Sequence, residues 1–145
     1  MEQHCCTLAL LGRLPPGPAP ELEALGSEFG EVLICNDRPT EHLALGLSIV
    51  APLAASSLGA LLPAIMVARH DWVVALDLGQ PLPSTDNLIQ LAVHPSAADA
   101  VLLQAAHLLP GRYARSCAPA LERALRSGCT GVEALRGLRR GLLEE

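Results

Sequence analysis

Lysine is absent from this 145-residue chain, and all ten of its basic side chains are arginine. Chemistry that needs a lysine amine, or its compact charge against a phosphate, is therefore excluded. Aromatic residues are almost missing as well, with one Trp, one Tyr and one Phe, which leaves no surface for stacking nucleic-acid bases. The formal charge of −5 argues against a binder of the phosphate backbone. A local basic cluster, Arg136, Arg139 and Arg140, stands out near the carboxyl end. No apolar run reaches the roughly 18 residues that cross a bilayer. The opening MEQHCCTLALLG starts acidic, and its apolar run is too short for a secretory signal. Together these absences predict a cytoplasmic protein that binds neither nucleic acid nor membrane.

Five cysteines (Cys5, Cys6, Cys35, Cys117 and Cys129) form no C-x-x-C pair, and an odd count suits a reducing compartment better than a disulfide framework. His4, Cys5 and Cys6 are potential zinc ligands, but neighbours in an extended segment point to opposite faces. His42, His94 and His107 are scattered, with no partner at helical spacing to build a metal site.

What the chain does have is apolar runs punctuated by Gly and Pro. Thr7 to Leu11 reads as a short buried strand, and four prolines between Pro15 and Pro20 make a stiff connector after it. Pro20 then opens a helix over Glu21 to Leu25. Glu31 to Cys35 reads as the second strand, ended by the turn Asn36-Asp37-Arg38-Pro39. A short helix over Thr40 to Leu45, stopped by Gly46, and a third strand over Leu47 to Val50 follow. Ser56 or Ser57 caps a helix running to about Ala68, with Pro63 in its first turns.

The stretch HDWVVALDLGQPLPSTDNL is the pivot of the reading. Trp72 to Leu76 is a strand buried on both faces, Gly79 and Pro81 end it, and Ser84 or Thr85 caps the next helix. Ala100 to Leu103 is a further strand. Arg115 to Ser127 is a helix with Leu121 and Leu125 on one face and Gly128 as its stop. Val132 to Leu143 reads as a last amphipathic helix with the arginine cluster on its solvated side. Alternation of this kind predicts a single α/β domain over residues 1–145, a three-layer Rossmann-like, mostly parallel sheet with helices on both faces. Ligands of such sheets bind at the carboxyl ends of the strands.

Individual residues near those ends have ordinary structural readings. Asn36 and Asp37 suit an Asx-turn, Cys35 suits a core thiol because no neighbouring base activates it, and His70 and Asp71 suit a solvent-facing turn. Asp77 suits a carboxylate held at the strand mouth.

The order of these pieces is more specific than any one of them. GEVLICNDRPTEHLALGLSIV, then a small-residue loop and helix, then ARHDWVVALDLGQPLPSTDNL and GRYARSCAPALERALRSG resemble the MobA-like nucleotidyltransferases of molybdenum cofactor biosynthesis. The resemblance spans about Thr7 to Leu143. It implies a nucleotide-diphospho-sugar-transferase-like fold and transfer of GMP or CMP from an Mg-bound GTP or CTP to molybdopterin.

It also implies a phosphate-binding loop, L-A-G-G-x-S-x-R-M-G-x-D-K, of which only Gly12 and Arg13 remain here. Proline carries no N–H, so the connector cannot replace that loop's donors, and no lysine is left to supply its cation. Asn36 falls on the family's nucleotide-contacting Asn, and Gly59 on the remnant of a G-P-L-A-G loop. A third-strand Asp lands at Pro52. Aligned on Pro81, the metal-binding Asp of a D-x-P motif lands at Gly79. Asp77 sits roughly 6.6 Å short of that position, so it would hold Mg²⁺ there only if a bulge shifted the strand end.

Three functions follow. The first is a catalytically degenerate member that acts as a binding or partner protein for molybdopterin or a molybdoenzyme maturation protein. The second is a working transferase that uses Asp77, Asn36 and Arg13, or a loop supplied by a partner subunit. The third is a structural module forming a homo- or heterodimer.

Overall fold

A computed structural model describes residues 4–12, 27–35, 48–50, 52, 56–78, 84–94, 98–103, 107–129, 132–135 and 138–142. Seven strands are described: β1 (His4–Leu11), β2 (Phe29–Cys35), β3 (Ser48–Val50), β4 (Trp72–Asp77), β5 (Ala100–Leu102), β6 (Gly111–Ala114) and β7 (Arg140–Leu142). They join in one sheet of order β3-β2-β1-β4-β6-β5-β7. Strands β3, β2, β1 and β4 pair in parallel, as do β5 and β7. β6 runs against both of its neighbours, β4 and β5. The sheet is thus mostly parallel, as the alternation predicts, with one reversed strand inserted beside the pivot.

Side-chain alternation sends each strand's residues to two opposite cores. Ala9, Leu11, Val73 and Ala75 join a cluster with Leu58, Leu61 and Ile65 of α1 (Ser57–Val67) and Leu121 of α3 (Ala118–Arg126). Leu8, Leu10, Val74 and Leu76 join the other cluster, with Leu88 and Leu91 of α2 (Thr85–Val93). Helices therefore cover both faces, giving three layers. This is why β4 reads as a continuous apolar run: both of its faces need apolar side chains.

The capping serines do what their positions predict. Ser56 Oγ accepts from the Gly59 N–H at 3.0 Å, and Ser84 Oγ accepts from the Asn87 N–H at 3.1 Å. Gly128, with φ of +85°, follows α3 as its stop. Pro63 lies inside α1, past the first turn, so the Gly59 carbonyl receives no helical N–H from it.

Three expectations are corrected. The segment Gly111–Ala114 is a strand that the sequence reading passes over on its way to a helix. Four residues that include a glycine and an arginine show no strand period. Arg115–Cys117 is consequently a short 3-10 turn, and α3 starts only at Ala118. The last amphipathic helix is also not formed. Val132–Leu135 is a 3-10 turn and Arg140–Leu142 is strand β7. Gly137 and Gly141 weaken a helix there. β5 offers its edge instead, with Ala100 N–H donating to Arg139 O at 3.1 Å and Asp99 Oδ2 accepting from Arg139 N–H at 3.1 Å. Arg139 and Arg140 are exposed, so their solvated character survives the change of element. Lastly, strict alternation of strand and helix fails between β5 and β6, which form an antiparallel pair.

The expected helices over Glu21 to Leu25 and Thr40 to Leu45, the proline connector and the Asn36–Pro39 turn lie outside the described residues.

Candidate functional site

The carboxyl ends of the four parallel strands, Leu11, Cys35, Val50 and Asp77, define one edge of the sheet. Pairing of β1 with β4 runs in unbroken register from Thr7↔Val73 to Leu11↔Asp77. No bulge shifts this strand end. Asp77 is itself the last residue of β4, half-buried, and the alternation after Val73 and Ala75 puts it on the α1 face.

Gly12 follows at the end of β1 with φ of +112°, a backbone conformation that a side chain would strain. Its N–H donates to Cys35 O at 3.1 Å, and the Leu78 N–H donates to Leu11 O at 2.9 Å. These bonds tie the exits of β1, β2 and β4 together. A Cβ on Gly12 would lie 3.9 Å from Asp77 Oδ1 and 3.7 Å from Leu78 Cβ. Gly12 and Asp77 are therefore adjacent across the strand ends.

Gly59 lies in the first turn of α1, which begins soon after β3 ends, on the same edge. Its N–H is engaged by the Ser56 cap. Arg13, Asn36 and Asp37 lie outside the described residues, as does Gly79. Cys35 is buried at 2% exposure, and burial pushes its thiol up to about 11. It is a protonated core thiol near neutral pH, not an activated nucleophile. Among the described residues, no group of three or more His, Cys, Asp or Glu converges as a metal cluster.

The opposite edge of the sheet holds a polar network that sequence reasoning missed. Thr7, fully buried in β1 opposite Val73 near the start of β4, donates from Oγ1 to Glu31 Oε1 at 2.8 Å. Because a carboxylate only accepts, Thr7 Oγ1 is left to accept from His70 Nδ1 at 3.1 Å. Glu31 also accepts the Arg69 N–H at 2.8 Å and faces Arg69 Nε at 3.3 Å. His70 is accordingly half-buried and bonded, not a solvent-facing turn residue, whereas Asp71 is exposed as expected. The available signal was the period-2 position of Thr7 opposite Glu31, legible only once the strands are paired.

This is the architecture of a nucleotidyltransferase-fold protein, and solved structures of that class superpose over nearly its whole length. Molybdopterin-guanine dinucleotide biosynthesis protein A from Archaeoglobus fulgidus matches with a TM-score of 0.70 at 17% identity, over 94% of this chain and 82% of that one. 2-C-methyl-D-erythritol 4-phosphate cytidylyltransferase from Thermus thermophilus matches with a TM-score of 0.66 at 16% identity, over 92% and 86%. A protein of Aquifex aeolicus matches with a TM-score of 0.74 at 18% identity, over 94% and 85%. No family model matches the chain, and no curated protein matches it in sequence. No described helix is long and apolar enough to cross a membrane.

Proposed function

We propose that the chain is a MobA-like nucleotidyltransferase-fold protein of molybdenum cofactor biosynthesis that no longer transfers nucleotides and acts as a binding or partner protein. One observation carries the reading. The two glycines aligned with phosphate-cradling loops have their N–H groups engaged within the fold, Gly12 on Cys35 O and Gly59 on Ser56 Oγ. A triphosphate needs converging N–H donors and a cation, and no lysine exists in the chain to add the charge. The partner would be molybdopterin itself or a protein that matures a molybdoenzyme.

A second reading, an active transferase, needs Asp77 to hold the ion where it stands at the end of β4, because no bulge carries it to the position of Gly79. Mg²⁺ in nucleotide sites is commonly held by one or two carboxylates together with substrate phosphates. Asp77, at the end of β4 beside Gly12, is a carboxylate of that kind. Such an ion would supply charge neutralisation at the phosphates. Asp77 would orient it, and Gly12 would let the chain leave β1 without a side chain over the carboxylate.

Calorimetric titration of the purified protein with Mg-GTP, Mg-CTP and molybdopterin separates the two. The first reading expects no micromolar binding of either nucleotide, and measurable pterin binding where molybdopterin itself is the partner. Micromolar Mg-nucleotide affinity that disappears in Asp77→Asn would overturn it in favour of the second.

A further inference from the structure

Strand β7 stands at one end of the sheet order, and among the described residues β5 is the strand it pairs with. A strand in that place presents a second row of N–H and C=O groups on its outer side, a template for another strand. Two hydrogen bonds fix which groups form that row. Arg139 O accepts from Ala100 N–H at 3.1 Å, and Arg139 N–H donates to Asp99 Oδ2 at 3.1 Å, so both backbone groups of Arg139 turn toward β5. Successive residues of a strand turn to alternate sides. Gly141 therefore faces β5 as well, and Arg140 and Leu142 present their N–H and C=O groups outward.

Arg139 and Arg140 are both exposed. Charges on an outer strand ordinarily keep a second strand away, and two copies aligned at Arg140 would set cation against cation. The sequence supplies a different match. Arg139-Arg140-Gly141-Leu142 is followed by Leu143-Glu144-Glu145, the last three outside the described residues. Laid antiparallel to a second copy, the stretch opposes its basic end to its acidic end.

Backbone direction then selects the register. Residues that exchange hydrogen bonds across an antiparallel pair must both face the partner. Arg140 can thus bond to Arg140, to Leu142 or, with the strand extended, to Glu144 of the second copy. The Arg140–Glu144 alignment also sets Arg139 opposite Glu145, and it puts Leu142 opposite Leu142 on the two-fold axis. Opposite charges facing each other across a strand pair attract, and like charges repel.

We propose that the outer edge of β7 is a dimerisation surface for a second copy of this chain, which pairs antiparallel about Leu142 and joins the two sheets into one. The occupant is a second copy because the matching strand must run basic, apolar, acidic, and this chain carries that strand itself. An isologous contact of this kind satisfies the same groups on both copies. It is small, so the association belongs to the weak, reversible class. β6 and β5 separate it from β4 and β1, so it stands or falls apart from the proposed function.

Sedimentation velocity of the purified full chain, with reductant to keep the thiols free, tests the contact. The wild type passes from monomer to dimer between micromolar and millimolar concentration, and molar salt weakens the dimer by screening. Arg139→Glu with Arg140→Glu, and separately Glu144→Arg with Glu145→Arg, each weaken association at least about tenfold, because attraction becomes repulsion. Mixed in equal amounts, the two variants associate at least as tightly as the wild type, since every charge then meets its opposite. Leu142→Pro removes an outward N–H and none that bonds β5. It abolishes the dimer while the urea midpoint stays near that of the wild type, as proline on an outer strand allows.

A monomer at every concentration, a dimer indifferent to the charge reversals, or variants that stay apart when mixed overturns the proposal. Should a charge variant not fold, Leu142→Pro decides, and a dimer that survives it refutes the edge contact. Should the proline variant not fold, the mixing experiment decides alone.

Discussion

The two halves of the sheet keep their interiors dry by different means. In the parallel half, β1, β2 and β4 carry apolar side chains on both faces, and Leu8, Ala9, Ile34, Val73, Val74 and Leu76 are all sealed from solvent. The antiparallel strand β6 carries Gly111, Arg112 and Tyr113 instead, all buried. Tyr113 donates its hydroxyl to Leu108 O, Arg112 stacks on Trp72, and Gly111 has no room for a side chain. Burial of apolar area is roughly proportional and forgiving, whereas a buried donor or a close backbone approach works in one geometry only. The parallel half should therefore tolerate apolar exchange and fail by cavity formation. The other half should fail by small additions.

Five measurements sharpen or break that contrast. The largest effect is expected from Leu8→Ala, which opens a cavity under a fully buried position of β1 and costs about 2–5 kcal/mol in urea denaturation. Leu8→Met should cost less than about 1.5 kcal/mol, since volume is kept. Gly111→Ala adds one methyl group, yet its Cβ would meet Leu108 O at 2.9 Å and Leu102 Cδ2 at 3.1 Å. It should destabilise by about 1–3 kcal/mol, and a neutral result would remove the contrast.

Alkali probes the buried thiols. Burial raises Cys35 from 9.0 to about 11, and burial followed by the nearby Asp99 charge raises Cys117 to about 12. The folded state thus holds protons that an unfolded chain releases, so stability is full below about 9 and falls as pH rises through that window. Urea midpoints measured across this range should decline, and Cys35→Ala should flatten the decline between 9.0 and about 11. The smallest effect is expected from Arg69→Ala. That side chain is 83% exposed where it meets Glu31, and screening by solvent leaves its pair worth under about 1 kcal/mol.

The same contrast explains what was legible in the sequence. Trp72–Leu76 and Glu31–Cys35 announce themselves because strands covered on both sides must be apolar throughout. Ser56, Ser84 and Gly128 announce helix ends because their local chemistry satisfies orphan backbone groups. β6 does not, because the contacts that accept Arg112 inside include Trp72 and the end of α2, forty and about twenty residues away in the chain. β7 was hidden for a related reason: the edge that recruits Arg140–Leu142 belongs to β5. At the candidate site, Asp77 was legible as a carboxylate at the mouth of β4, and its pairing with Leu11 confirms that place. Gly12 was legible as an exit from β1, but its proximity to Asp77 required the register.

The placement of β6 between β4 and β5 also bears on how the chain assembles during synthesis. Both hydrogen-bonding partners of β5, namely β6 and β7, are translated after it. A ribosome that has released residues through Leu103 has delivered every strand of the β3-β2-β1-β4 array, together with a β5 that has nothing to pair with. Its backbone must wait for Gly111–Ala114 to emerge and reverse direction against β4. Until then a short apolar segment, Ala-Val-Leu, stands exposed at the growing end, and a nascent chain stalled there is the one most prone to associate with its neighbours.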